Sequence, residues 1–180
     1  NIIAYTDVND WVYIYEYDGS SQWTQKGSVI NSKDLLSLNA PGNSILVEEG
    51  GDIKVFDYRK SSGSGTDWIQ RGDTIQITDF FGDSGVSYLA LSPDGNALAI
   101  SSAVESPSSS SCNGFTAARG VVRVYKWESS SWSIKDTLTG CDLTTTPDNA
   151  YSENSNITVY YGNSIDFTSD SNWLLIGSRA

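Results

Sequence analysis

The segment that decides the fold is Leu91-Ser92-Pro93-Asp94-Gly95-Asn96-Ala97-Leu98-Ala99-Ile100, in which a Pro-Asp-Gly turn separates two short apolar runs. Turn residues between alternating apolar segments predict a tight β-hairpin. The same hairpin recurs at residues 38–47, around Pro41-Gly42, and at residues 167–176, around Asp170-Ser171. Its outer apolar residues are nine positions apart each time, so its length does not vary.

A second pattern also occurs three times. It is a strand of β-branched and aromatic residues, a polar turn, and a second strand that opens with tryptophan. The copies span residues 12–27, 53–72 and 121–136, and their tryptophans are Trp23, Trp68 and Trp132. Joined to the hairpin, this pattern forms a four-stranded antiparallel unit, whose strands we name a, b, c and d. Repeated units of this kind are typical of β-propeller blades.

We therefore predict an all-β chain that is a fragment of one β-propeller (residues 1–180). Two complete blades, a partial blade at each end and almost no helix are expected. The blade pieces are predicted at residues 2–30, 35–75, 86–138 and 163–177, which gives thirteen strands. Closed propellers have about four to eight four-stranded blades. Hence we expect the polypeptide to continue beyond both ends, or several copies to complete a ring or filament. A β-sandwich of irregular hairpins is the alternative.

The predicted core is drawn from strands a and b. Its members are Leu36, Leu38, Val47, Leu89, Leu91, Ile100, Ile165, Phe167 and Ile176. The recurrent tryptophans are expected to pack between blades. Trp11 and Trp173 lie beside turns and are candidates for exposed aromatic platforms.

Residues 89–100, followed by Gly120-Val121-Val122-Arg123-Val124-Tyr125 and Trp132, resemble a known group of repeats. These are the WD-like and FG-GAP-like propeller repeats of secreted surface proteins, found in algae, other protists, marine bacteria and large algal viruses. Residues 161–165 and 175–178 match the same repeat, so the resemblance covers nearly the whole chain. It implies a propeller scaffold, because its motifs are structural and not catalytic. The calcium-binding DxDxDG loop of integrin-type repeats is missing, so the family's metal sites do not carry over.

Composition argues against several classes of function. The formal net charge is −11, which disfavours nucleic acid as a partner because few cations could neutralise phosphates. The chain has no histidine, which removes Ser-His-Asp and Cys-His catalysis and His-ligated metal sites. It has no run of 18 apolar residues, so we expect no membrane span in this segment. We predict no catalytic residue, cofactor or metal, and hence no enzyme.

Two acidic turns and one tripeptide have alternative interpretations. Residues 7–10 and 48–52 are rich in carboxylates and could hold Ca²⁺, although solvated turns have the same composition. Arg71-Gly72-Asp73 spells an integrin-type motif, but it coincides with Lys26-Gly27-Ser28 in the repeat. We therefore interpret it as part of the repeat.

The two longest insertions fall in the b–c loop at residues 103–119 and in the d–a loop at residues 140–160, on the same face of the blades. Variable loops on a rigid frame are where recognition is normally built. Cys112 and Cys141 lie in these insertions. Long loops can bring the two Cα atoms within the roughly 4.4–6.8 Å that a disulfide needs. We predict a Cys112–Cys141 disulfide, and therefore a secreted or surface-associated protein.

The same loops contain candidate glycosylation sites. Asn156 begins the Asn-Ile-Thr sequon. Ser/Thr-Pro tracts of the kind that carry O-linked sugars supply six further candidates: Ser108, Ser109, Ser110, Thr144, Thr145 and Thr146.

Our main functional hypothesis is a non-catalytic, extracellular structural or adhesive propeller module. It would contact other protein chains, further blades of the same polypeptide, or glycans through its b–c/d–a loop face. One alternative is an intracellular WD-repeat-like scaffold, in which Cys112 and Cys141 would stay reduced. Another is part of a propeller glycoside hydrolase, in which two carboxylates would converge in a cleft.

Overall fold

A computed structural model describes residues 1–32, 35–61, 65–77, 86–102, 118–139 and 159–179. Across these ranges the chain forms sixteen β-strands in four sheets and no helix. The described residues accordingly include no helix long and apolar enough to cross a bilayer. The predicted all-β architecture of antiparallel four-stranded units is confirmed.

The first sheet supplies strands b, c and d of a unit, and the second sheet is a complete unit. The first contains β1 (Ile2–Thr6), β2 (Trp11–Tyr17), β3 (Trp23–Gln25) and β4 (Ile30–Asn31). The second contains β5 (Leu36–Leu38), β6 (Ser44–Glu49), β7 (Asp52–Lys60), β8 (Thr66–Gln70) and β9 (Ile75–Gln76). In both sheets strand d is broken in two. β3 and β4 both pair with β2, and β8 and β9 both pair with β7.

The third sheet is a complete unit, and the fourth supplies strands a and b. The third contains β10 (Tyr88–Leu91), β11 (Ala97–Ser102), β13 (Val121–Glu128) and β14 (Ser131–Thr139). The fourth contains β15 (Val159–Phe167), β16 (Leu174–Arg179) and the short β12 (Ala118–Arg119), which pairs in parallel with β15. The sequence assigned β12 to a loop. This strand and the two broken d strands explain why sixteen strands are found and thirteen were expected.

The constant length of the a–b hairpin follows from side chains that close its turn. In the third sheet Ser92 Oγ donates to Asp94 (2.6 Å) and accepts the Ala97 N–H (2.8 Å). Asp94 in turn accepts the Asn96 N–H (3.0 Å). The fourth sheet repeats this network with Thr168, Asp170, Asn172 and Trp173. Each added or deleted residue would break these bonds, so the turn keeps its length.

Successive sheets pack face to face through three apolar layers. The layer between the first and second sheets includes Val12, Ile14, Ile45 and Val47. The next layers join the second sheet to the third and the third to the fourth. The first strands of the units lie side by side, since Ser37 Oγ in β5 accepts the Leu91 N–H of β10 (2.9 Å). Strand a is therefore the innermost strand of each unit, as in a propeller.

The predicted core residues lie in these layers, but not all are fully buried. Val47, Leu91 and Ile100 are buried. The remaining six are half-buried and pack against the same layers: Leu36, Leu38, Leu89, Ile165, Phe167 and Ile176. The prediction missed strand c, where Ile53, Val55 and Val122 are fully buried.

A tryptophan on strand d of each of two sheets bonds to the sheet before it. Trp68 Nε1 in the second sheet donates to the backbone carbonyl of Lys26 in the first (2.6 Å). The Lys26 ammonium lies 4.9 Å from the ring centre of Tyr58 and 3.5 Å from the Glu16 carboxylate. One basic residue thus joins the two sheets through its carbonyl and its charge.

The same arrangement joins the second and third sheets through Arg71. Trp132 Nε1 donates to the Arg71 carbonyl (3.1 Å). The guanidinium lies over the rings of Trp127 (5.2 Å) and Trp132 (4.9 Å), and its Nε is 3.6 Å from Asp57. Arg71-Gly72-Asp73 therefore belongs to the packing of the repeat, as the sequence indicated. We call each arrangement of tryptophan, basic residue and following glycine a latch.

The glycine of each latch is required by conformation and by space. Gly27 and Gly72 have φ of +76° and +73°, in the left-handed region that favours glycine. A Cβ on Gly27 would lie 2.7 Å from Trp68 Cδ1, and one on Gly72 would lie 2.5 Å from Trp127. Strand d breaks at these glycines, which frees the preceding carbonyl for the indole.

We predict that Gly27→Ala destabilises the chain more than Gly19→Ala. Both residues have positive φ, +76° and +86°, so both substitutions carry a similar backbone cost. The Cβ of the first alanine would also press on Trp68, whereas a Cβ at residue 19 meets no atom within 4 Å. The expected difference in the free energy of unfolding is about 1–3 kcal/mol, measured by urea denaturation. Equal losses would show that the sheets are not tightly packed at Gly27.

Candidate protein-interaction site

Most of the site residues predicted from the sequence lie outside the described residues. This holds for Cys112 and Cys141, for Asn156, and for the six candidates for O-glycosylation: Ser108, Ser109, Ser110, Thr144, Thr145 and Thr146. The disulfide, the glycans and the contact role of the two long insertions stay predictions.

The carboxylates of the two acidic turns bond to their own backbone. Asp7 Oδ1 accepts the N–H groups of Asn9 and Trp11, both at 2.9 Å. These bonds, the Trp11 bond foremost, lower the pKa of Asp7. Glu48 likewise accepts the Gly51 N–H (2.8 Å). Among the described residues, no group of three or more acidic or cysteine side chains is placed to hold a metal ion.

The first sheet has an exposed side that is mostly aromatic. Besides Gln25, the alternate residues of β1, β2 and β3 that point away from the second sheet are Ile3, Tyr5, Trp11, Tyr13, Tyr15, Tyr17 and Trp23. We call this set the aromatic face. Ile3, Tyr5 and Trp23 are 47%, 48% and 44% exposed. The opposite side of the sheet carries Val12 and Ile14, which are buried against the second sheet.

The corresponding positions in the other sheets are covered. Ile3 pairs with Tyr15 as Ile45 pairs with Phe56, so strand register makes Ile45 and Val47 the counterparts of Ile3 and Tyr5. Both counterparts are fully buried, and Trp68, the counterpart of Trp23, is 7% exposed. In the third sheet the counterparts Leu98, Ile100 and Trp132 pack against the second sheet. The aromatic face therefore corresponds to the side of the second and third sheets that the preceding sheet covers, but on the first sheet this side is exposed.

The rings of the aromatic face are ordered by contact with each other. Tyr5 stacks on Tyr13 and Tyr15, with ring centres 5.5 and 6.2 Å apart. Loss of water around the phenol and the neighbouring Tyr15 raise the pKa of Tyr5. Tyr17 and Trp23 form a tilted pair at 5.2 Å. Aromatic side chains held in place lose little entropy on binding, and they are enriched in protein interfaces.

A carboxylate fixes the turn that carries Trp23. Asp18 Oδ1 accepts the backbone N–H groups of Ser20 (2.7 Å), Ser21 (3.1 Å) and Gln22 (3.2 Å). The ionised carboxylate thus satisfies three consecutive amides between β2 and β3. Trp23 follows directly and pairs with Tyr17 across the hairpin.

The sequence identified individual tryptophans but missed the aromatic face. Trp11 and Trp173, predicted as exposed platforms, are 40% and 72% exposed. Trp68 and Trp132 pack between sheets as predicted, whereas Trp23, assigned to the same role, is exposed. The signal was the alternation of aromatic residues at positions 11, 13, 15 and 17, which marks one side of a strand.

No family model matches the chain, and no curated protein matches it. Solved structures match its fold. The chain is 16% identical to a candidate 6-phosphogluconolactonase from Bacteroides fragilis, with a TM-score of 0.51, covering 93% of this chain and 41% of that one. It is also 16% identical to KlAtg21, solved in complex with the coiled-coil of AgAtg16, with a TM-score of 0.54, covering 98% of this chain and 46% of that one.

These similarities confirm a β-propeller fold, because the first protein has a seven-bladed propeller fold and the second is a WD40 propeller. This part of the resemblance seen in the sequence is therefore confirmed. The chain spans less than half the length of either structure. At this level of identity the similarity establishes the fold alone.

The prediction that the chain is not an enzyme is wrong, because this architecture does not support it. It depended on the lack of histidine and on the structural character of the repeat motifs. The solved structures of this fold include a candidate 6-phosphogluconolactonase, so the same scaffold is found in a named class of enzyme. A propeller scaffold does not exclude catalysis.

We predict that the Asp18 carboxyl titrates with a pKa of about 2, below its ordinary 3.8, because the amides of Ser20, Ser21 and Gln22 bond to its ionised form. A lowered pKa means that the turn's contribution to stability is present above about pH 4 and is lost as the pH falls through about 2. Carbon-detected NMR measures the titration. Asp18→Asn cannot titrate, so the stability gap between wild type and variant should narrow between pH 4 and pH 2. A titration midpoint near pH 3.8 would show that the three amides do not stabilise the ionised carboxylate of Asp18.

Proposed function

We propose that the chain is a protein-interaction module that binds a partner protein through the aromatic face. The observation that carries this proposal is the exposure of Ile3, Tyr5 and Trp23, whose counterparts in the next sheet are at most 7% exposed. Exposed apolar surface that continues over several strands is typical of interaction sites. The binding surface is thus the side of a sheet, whereas the sequence favoured the long loops.

The chemistry of the face favours a protein over other partners. Tryptophan and tyrosine dominate the residues that contribute most to protein–protein binding energy. The net charge of −11 disfavours nucleic acid. KlAtg21, which shares the fold, is in complex with a coiled-coil, so a propeller of this kind can engage another protein chain.

Footprinting with hydroxyl radicals tests the proposal. We expect Trp23 to be oxidised readily in the purified chain and to be protected in the complexes isolated from its natural source. Trp173 is the matched control, because it is 72% exposed and lies in the turn before β16, away from the aromatic face. Crosslinks from the aromatic face should join it to peptides of another protein, and crosslinks only to other parts of the same polypeptide would contradict the proposal. Equal oxidation of Trp23 in both samples, relative to Trp173, would contradict the proposal.

The extracellular, adhesive form of this function is a separate proposal that depends on Cys112 and Cys141. If they form a disulfide, thiol labelling of the native chain without reductant should give no reaction, and labelling after reduction should give two modified residues. Disulfides persist in oxidising compartments, so this result favours a secreted or surface protein. Two reactive thiols in the native chain would favour the intracellular scaffold.

A further inference from the structure

We propose that the aromatic face binds a β-strand that ends in Lys-Gly or Arg-Gly, a partner chemistry that rests on the proposed function. In this complex Trp23 Nε1 donates to the backbone carbonyl of the basic residue, and the cation lies on the ring of Tyr17. The aromatic face would then complete a third latch, with the partner in the position of the preceding sheet.

The two latches inside the chain define what such a face accepts. In both, an aromatic pair on strands c and d receives a basic residue from the neighbouring sheet. The pairs are Tyr58–Trp68 and Trp127–Trp132, and their ring centres are 5.2 Å apart. Tyr17–Trp23 is the third such pair, with the same separation of 5.2 Å and an interplanar angle of 44°, against 51° and 59°. The Tyr17–Trp23 pair therefore already has the geometry of the two pairs that receive a basic residue.

The indole N–H of Trp23 is available to donate a hydrogen bond to a partner. Trp68 and Trp132 use theirs on the carbonyls of Lys26 and Arg71. Within the described ranges, Trp23 Nε1 donates to no protein group. A cation over an aromatic ring adds attraction that grows as water is removed, and the acidic chain favours a basic ligand.

The residue after the cation must be glycine. A Cβ at Gly27 would collide with Trp68, a Cβ at Gly72 would collide with Trp127, and both glycines have a left-handed backbone. This requirement argues against strand β14 of a second copy as the occupant. The corresponding residues there are Lys135 and Asp136, and the aspartate carries the Cβ that the latch excludes. Lys26-Gly27 and Arg71-Gly72 of a second copy are already engaged with Trp68 and Trp132.

A synthetic peptide with the sequence of residues 66–74 tests the inference, because it carries the Trp-Ile-Gln-Arg-Gly segment of the second latch. The chain is labelled with 5-fluorotryptophan, and the ¹⁹F resonances are followed during titration with unlabelled peptide. We expect the Trp23 resonance to shift and saturate, while the Trp173 resonance stays fixed. A peptide with Gly72→Ala should bind at least tenfold more weakly, and so should a peptide with Arg71→Gln.

A short free peptide is expected to bind weakly, so a second experiment tethers the peptide to the chain. The Asn1 carbonyl accepts the Tyr17 N–H (2.9 Å), so the first residue lies beside the Tyr17–Trp23 pair. A flexible linker of about ten residues joined to Asn1 holds the peptide at an effective concentration of about millimolar. The tethered peptide should shift Trp23 and lower its oxidation, and its Gly72→Ala version should not.

The outcomes separate this inference from the proposed function. If the free and tethered peptides leave Trp23 unchanged, or the Gly72→Ala versions act equally well, the inference is overturned. Should Trp23 nevertheless be protected in native complexes, the proposed function stands with a different partner chemistry. If Trp23 is not protected from oxidation in native complexes, both the proposed function and this inference are contradicted.

Discussion

The hydrogen bond from an indole of one sheet to a backbone carbonyl of the sheet before it determines how the sheets are placed. Apolar burial drives the sheets together, but it is not directional and would tolerate sliding. Trp68 on Lys26 and Trp132 on Arg71 each fix one position across the layer. The accepting carbonyls are free because strand d breaks at Gly27 and Gly72, outside the regular ladder. A carbonyl buried there without a partner would be costly, so the break and the tryptophan depend on each other.

The aromatic face follows from the same constraint. The first two sheets each present a basic residue on one side, and the first three each present an aromatic pair on the other, so a latch is made of two unlike halves. On the first sheet the aromatic half is the set around Tyr17 and Trp23, and its ring geometry matches that of the covered pairs. The surface that we propose for binding therefore follows from the repeat itself.

Much of the fold could be predicted from the sequence because it is repeated. The hairpin of constant length and the recurrent tryptophan predicted the order of strands a to d, and the strand order in the sheets agrees with it. Exposure could not be predicted in the same way. Trp23 and Trp68 have similar local sequences, yet one is exposed and the other buried, because burial depends on the neighbouring sheet. The strand β12 was missed for a related reason, since its pairing with Val159 joins residues about forty positions apart.

The interface between the third and fourth sheets shows that a latch is not the only solution. There Lys126 stands where the first two sheets have Glu16 and Asp57, and Asp136 replaces the glycine. Two small residues, Ala90 and Ala99, are buried in the apolar layer between these sheets. Ser101 Oγ donates to the Gly162 carbonyl (2.7 Å), which gives this layer a directional bond of its own. The chain therefore uses two kinds of sheet contact, and the residue that follows the basic residue of strand d distinguishes them, because it is Gly27 or Gly72 in the latches and Asp136 here. The Tyr17–Trp23 pair on the exposed side of the first sheet has the ring geometry of the latch kind.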